Sequence, residues 1–95
     1  MRHDIILSPE AHEDLKRLSA HVRAEVKELM EVHLRHEPTK SSKSRIKRLR
    51  GLSHPQYRLR IDEFRIFYDV GINTVEILAI ITKPEAAKWL KKAGE

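Results

Sequence analysis

Residues 56–70 read QYRLRIDEFRIFYDV. Tyr57, Leu59 and Ile61 alternate with Arg58 and Arg60, Asp62-Glu63 interrupts, and Phe64, Ile66, Tyr68 and Val70 then alternate with Arg65, Phe67 and Asp69. A period of two in adjacent runs specifies two strands whose faces differ in chemistry. A two-residue or symmetric four-residue tip at Asp62-Glu63 pairs Arg60 with Arg65 and leaves Arg58 two residues along on the same face. A three-residue tip would shift that register, and Asp-Glu lacks the glycine or asparagine that tight hairpins favour. The apolar face, Tyr57 to Tyr68, cannot stay in water. The rest of the chain must supply its cover.

Upstream, the period changes to that of helices. Asp4-Ile-Ile-Leu7 reads as a short strand, and Ser8-Pro9 as an N-cap followed by proline at the first helical position. Ala11, Leu15 and Leu18 recur at helical spacing, which predicts a helix over 9–18. A second runs from Ser19 or Ala20 to about His36, with Val22, Val26, Leu29 and Met30 inward, and Glu37-Pro38 stops it. Residues 39–44 form a polar, cationic loop without an apolar anchor, expected to be mobile. A short strand follows between Ile46 and Leu49, then a turn region over 51–55, the hairpin, a strand from Thr74 to Ile81 and a short helix over 84–92. The order predicts an α+β fold: a two-helix hairpin on one face of a small, mainly antiparallel sheet, with a short C-terminal helix. Residues 1–95 suffice for one such domain.

The chain has no cysteine, which removes disulfides, thiolate metal sites and thiol nucleophiles and fits a reducing cytoplasm. Its apolar runs are too short for a signal peptide or membrane span, so a soluble protein is expected. The net charge is +5, and its distribution matters more than its size. Residues 40–65 hold nine Lys/Arg against two Asp/Glu, or +7, while the remaining ten basic and twelve acidic residues give −2. An anionic partner for that one segment is the natural inference.

Opposed arginines on neighbouring strands repel by a few tenths to about 1 kcal/mol, and an anion between them relieves the repulsion. Guanidinium forks match phosphate oxygens, which makes phosphate the first ligand class. The alternative is internal neutralisation by Glu76, Asp69 or Asp62. His33 and His36, one helical turn apart, lack the third ligand that zinc needs, so neither a metal nor another cofactor is expected. Trp89 either stacks on a base or packs the last helix onto the sheet.

The succession SPEA, a helix pair, KRLRGL, YRLRIDEFRIFYDV and a last strand running into a helix resembles the RelE/ParE superfamily of bacterial toxins encoded beside an antitoxin. The resemblance spans essentially the whole chain, and the hairpin pattern is its most specific part. It implies one of two activities. The RelE-like branch cleaves messenger RNA in the ribosomal decoding site without a metal, through attack of the ribose 2′-OH on phosphate. The ParE-like branch poisons DNA gyrase and has no nuclease chemistry. Carried over by position, Arg58, Arg60 and Arg65 fall on the basic hairpin positions of the RelE-like site, and Lys83 on the basic residue after the last strand. Arg48, Arg50, His54 and Trp89 are the expected further RNA contacts. The tyrosine that the RelE-like branch carries near its C-terminus has no counterpart here. Proton transfer then falls to Lys83 or His54, because arginine is a poor base. The resemblance favours a RelE-like endoribonuclease with an antitoxin, messenger RNA and the ribosome as partners. A gyrase-directed toxin, or a silent member that only binds antitoxin, is the alternative.

Overall fold

The computed structural model describes residues 2–94. Strand β1 (Asp4–Leu7) leads into helices α1 (Pro9–Lys16) and α2 (Ala20–Leu34); strands β2 (Ile46–Arg48), β3 (Tyr57–Ile61), β4 (Phe64–Val70) and β5 (Thr74–Thr82) follow, then helix α3 (Lys83–Ala93). The five strands order as β1-β5-β4-β3-β2, all neighbours antiparallel except the β1–β5 pair. This is the expected α+β arrangement.

The first two helices begin where their caps predict. Ser8 Oγ accepts from the Ala11 N–H at 3.0 Å and Ser19 Oγ from the Val22 N–H at 3.3 Å, each satisfying a donor that the first turn leaves unpaired. Between the two helices, the Arg23 guanidinium donates to the Leu15, Lys16 and Leu18 carbonyls, closing the C-terminus of α1. Helix α2 ends at Leu34, slightly before the proline signal, and Pro38 is fully buried with its carbonyl accepting from Tyr68 Oη at 2.7 Å.

The main core lies between the helix pair and one sheet face. Ala11 and Leu15 of α1 and Val26, Met30 and Leu34 of α2 bury against Leu59, Ile61, Ile66, Tyr68, Val75 and Ile77. Strand β1 covers β5 only as far as Ile77. Past that point α1 takes over the open edge: Ser8 Oγ donates to the Leu78 carbonyl, and Asp14 Oδ2 accepts from the Ile80 N–H at 3.0 Å. An unpaired strand edge is thus closed by side chains of a helix.

Residues 39–44 are exposed and carry no apolar anchor, as expected, while Ser42 ties the segment to β2 by accepting from the Arg45 and Ile46 N–H groups and donating its own N–H to the Ile46 carbonyl. The arginine face of the sheet, by contrast, is not bare. Helix α3 packs there, forming a second, smaller cluster of Phe67, Ala79 and Ala86 with Leu49, Ile81, Trp89 and Leu90 around it. Phe67, Ala79 and Ile81 make half of that face apolar, and apolar surface recruits cover wherever it lies.

Candidate active site

The hairpin adopts the two-residue register. Arg60 pairs with Arg65, Arg58 with Phe67 and Lys47 with Arg58, so cations occupy consecutive rungs of one face on β2, β3 and β4. The turn is made without glycine because Asp62 takes φ 51°, a left-handed conformation that Asp tolerates better than most residues.

The three arginines differ in what surrounds them. Arg65 is 7% exposed, and its Nη1 donates to the carbonyls of Asp62 and Phe64, each at 2.9 Å, so it braces the turn from inside. Arg60 is exposed; its backbone pairs with Arg45, and the Arg45 guanidinium donates to its carbonyl at 3.1 Å. Arg58 is half-buried, and its Nε is buried with no hydrogen-bond partner. Burial, followed by the like charges of Arg65 and Arg60, holds the Arg58 guanidinium below the ordinary arginine pKa. Burial and then Arg60 do the same to Arg65. Arginine does not lose its proton in proteins, so the physical content of both shifts is a charge held where it is poorly solvated and repelled.

Among the described residues, no carboxylate pairs with Arg58, Arg60 or Arg65. Internal neutralisation is therefore not the solution adopted. Asp69, one candidate counter-ion, is occupied: its Oδ2 lies 2.6 Å from His54 Nδ1 and its Oδ1 accepts from the Gln56 N–H at 2.8 Å. Asp62 meets Arg65 through its carbonyl only. A cluster of guanidiniums with an orphaned donor is suited to an anion with several oxygens.

Lys83 opens α3, and its N–H donates to the Glu63 carbonyl at 2.8 Å. The start of α3 is thereby tied to the hairpin tip, and the exposed Lys83 is placed at the Arg60–Arg65 end of the face. Thr82 and Glu85 form a capping box there, which lowers the Glu85 carboxyl below its usual range.

The expected RNA contacts spread wider. Arg48 pairs with Tyr57 and lies over its ring at 5.0 Å, and Tyr57 stacks on Tyr68, so this cation sits at the β2 edge on the helix side of the sheet, opposite the face of Arg58 and Arg60. Arg50 is exposed in the β2–β3 loop beside Gly51, whose φ of +78° turns the chain. Trp89 stacks on Phe67 at 5.0 Å between centroids, and its Nε1 donates to Glu10 Oε1 at 3.1 Å. One face of its ring is thus spent on the sheet. His54 is on the arginine side, held by Asp69, and lines a cavity of 410 Å³ with Ser8, Pro9, Glu10, Pro55, Leu78, Trp89 and Ala93. Trp89 thus packs the last helix onto the sheet, one of its two expected roles, but sequence reasoning missed the His54–Asp69 pair and the seating of α3 on the arginine face. Their residues are ordinary in spacing, and Phe67 among the arginines was the one available signal. Among the described residues, no group of three or more His, Cys, Asp or Glu is arranged to hold a metal, and no helix is long and apolar enough to cross a membrane.

The family model described as the ParE toxin of type II toxin-antitoxin systems (parDE) matches residues 5–93. No curated protein sequence matches the chain. Several solved structures share the fold. A mutant of the Escherichia coli toxin RelE in the free state is 21% identical with a TM-score of 0.73, the match covering 98% of this chain and 95% of that one. The Mycobacterium tuberculosis toxin–antitoxin complex RelBE2 is 23% identical at a TM-score of 0.71, covering 87% and 100%. The Pyrococcus horikoshii RelE–RelB complex is 21% identical at 0.70, covering 87% and 97%.

Proposed function

The chain belongs to the ParE toxin family of type II toxin–antitoxin systems, within the RelE/ParE superfamily, and from that premise we propose that it is an endoribonuclease that cleaves messenger RNA on the ribosome. The observation that carries this reading is the arginine cluster. Arg58, Arg60 and Arg65 stand on adjacent rungs, no carboxylate among the described residues neutralises them, and among those residues Arg58 Nε is left without a partner. A sheet that holds unpaired guanidiniums in place meets a phosphodiester without reorganisation.

In the proposed reaction the ribose 2′-oxygen bonds to the adjacent phosphorus and the bond from phosphorus to the 5′-oxygen breaks. The products are a 2′,3′-cyclic phosphate and a free 5′-hydroxyl. Negative charge grows on the non-bridging oxygens on the way, and Arg58 and Arg60 stabilise it. Arg65 contributes its charge from behind while holding the turn. Lys83, whose backbone N–H meets the hairpin tip, is the residue proposed to protonate or solvate the departing 5′-oxygen. These cations supply the stabilisation that metal-dependent nucleases take from an ion. Lys47, the partner of Arg58, extends the cationic face for flanking phosphates, with Arg50 in the adjoining loop, and such contacts position the strand without reading it. The site of action is the cytoplasm, where the ribosome is.

A cognate antitoxin is the protein partner in this reading. Solved complexes of similar fold join RelE to RelB, and an acidic or apolar antitoxin segment that orders on binding would cover the cationic face. A second reading, gyrase inhibition, draws on the ParE family match and on the tie of Arg65 to backbone carbonyls.

Induced expression in bacteria separates the two. Amino-acid incorporation is expected to stop before thymidine incorporation, messenger RNA is expected to acquire new 5′-hydroxyl ends, and Arg60→Ala is expected to abolish both effects. Replication arrest with intact messenger RNA would transfer the assignment to gyrase.

A further inference from the structure

We infer that His54 is the general base of the RNA cleavage reaction and that Asp69 is its positioning residue; the inference rests on the nuclease reading above. The geometry begins with a carboxylate that can only accept. His54 Nδ1 lies 2.6 Å from Asp69 Oδ2, so the neutral imidazole carries its proton on Nδ1 and leaves the lone pair on Nε2. Asp69 is itself fixed, its other oxygen accepting from the Gln56 N–H at 2.8 Å, and its side chain is 16% exposed. The imidazole is 70% exposed. A half-buried carboxylate with both oxygens hydrogen-bonded thus orients a solvent-facing ring, which is the arrangement that proton transfer to a bound substrate requires.

The pair stands on the substrate side of the sheet. Along β4, Arg65, Phe67 and Asp69 point to one face, and Phe67 is the cross-strand partner of Arg58. Asp69 is therefore about 7 Å from the Arg58 rung along the strand. A phosphate on Arg58, followed by its neighbouring ribose, spans that distance. The imidazole also lines the 410 Å³ cavity between the Pro55 loop and Trp89, where the ribose and base have room. Among the described residues, Asp69 from β4 bonds the ring and Glu10 from α1 lines the same cavity. In the step itself, His54 Nε2 takes the 2′-hydroxyl proton as the 2′-oxygen bonds to phosphorus. The 5′-oxygen leaves with the electron pair of the broken bond and takes a proton from water or Lys83.

Single-turnover cleavage of messenger RNA in programmed ribosomes tests this, with wild type, His54→Ala and Asp69→Asn compared. His54→Ala is expected to lower the rate by about 10²-fold or more, with ribosome affinity and melting temperature unchanged. Added free imidazole is expected to restore part of that rate, which a mere clip of the Pro55 loop would not allow. Asp69→Asn, which loses control of the tautomer, is expected to lose at least about tenfold. Wild-type cleavage with a His54→Ala loss under tenfold, or with a loss that imidazole does not restore, overturns the inference and leaves the nuclease reading standing. No cleavage by the wild type overturns both.

Discussion

Arg60 and Arg65 share one rung of the sheet and carry different duties. Arg60 is exposed and faces a like charge, so its removal relieves repulsion; Arg65 is buried and holds the Asp62 and Phe64 carbonyls at the turn. Stability is expected to diverge accordingly. Arg60→Ala should be neutral or stabilising by up to about 1 kcal/mol. Arg65→Ala should cost about 1–3 kcal/mol, because two carbonyls lose a charged donor and the turn at Asp62 loses its brace. Urea denaturation of the two variants checks this, and equal midpoints would contradict it. The rung itself was legible from alternation and hairpin length. The difference between the two arginines was not, since alternation assigns a face and says nothing of what lies above it.

Among the elements, those with a strong local signal were readable: Ser8-Pro9 before α1, Glu37-Pro38 after α2, and the alternation of β3 and β4. What escaped reading was decided by packing between distant elements, such as the seat of α3 on Phe67 and the closure of the β5 edge by α1. That closure has a pH signature. Asp14 is 10% exposed, and burial raises its carboxyl above the usual value against the opposing pull of the Ile80 N–H; Glu10 raises it further, and Arg17, 3.6 Å away, lowers it. The folded chain therefore holds this proton to a higher pH than the unfolded chain does. Stability must fall as pH rises from the ordinary carboxylate value of 3.8 through the raised one, because the folded state binds more protons across that window. Asp14→Asn keeps an oxygen for the Ile80 N–H and carries no charge. Its urea midpoint is expected to gain on the wild type as pH rises from about 4 to 6, with the histidines contributing equally to both. A constant difference across that range would mean that the edge contact is insensitive to the charge.

At the scale of the molecule, the residues that carry +7 fold into the loop before β2, then β2, the β2–β3 loop, β3 and the start of β4, in a body 31 × 31 × 27 Å across. Where α1 meets β5 and α3, the acidic residues Glu10, Asp14 and Glu85 stand with Arg17, Lys88 and Lys92 and their charges cancel, so the excess positive charge stays with the basic segment. Such a field reaches little beyond a Debye length, about 8 Å at physiological salt, and acts on what docks against the cationic strands. Its strength can be counted. Each phosphate neutralised on a single strand releases counterions and contributes about −0.7 to the slope of log affinity against log salt. Lys47, Arg58 and Arg60 are the cations of the sheet face not tied to a carbonyl or a carboxylate among the described residues, whereas Arg65 is spent on the turn. Three such contacts give a slope of about −2 for a short oligoribonucleotide. Arg60→Ala is expected to flatten that slope by about 0.7 and to weaken binding alike for every sequence, since a phosphate contact carries no base information. Arg65→Glu is not a fair comparison because it breaks the turn, but Arg65→Lys, which keeps the charge, should leave the slope unchanged. Fluorescence-anisotropy titrations over a range of salt concentrations measure all three slopes. A wild-type slope near zero would mean that the cationic face does not take a nucleic-acid backbone, and the cluster of unpaired arginines would then need a protein carboxylate as its ligand.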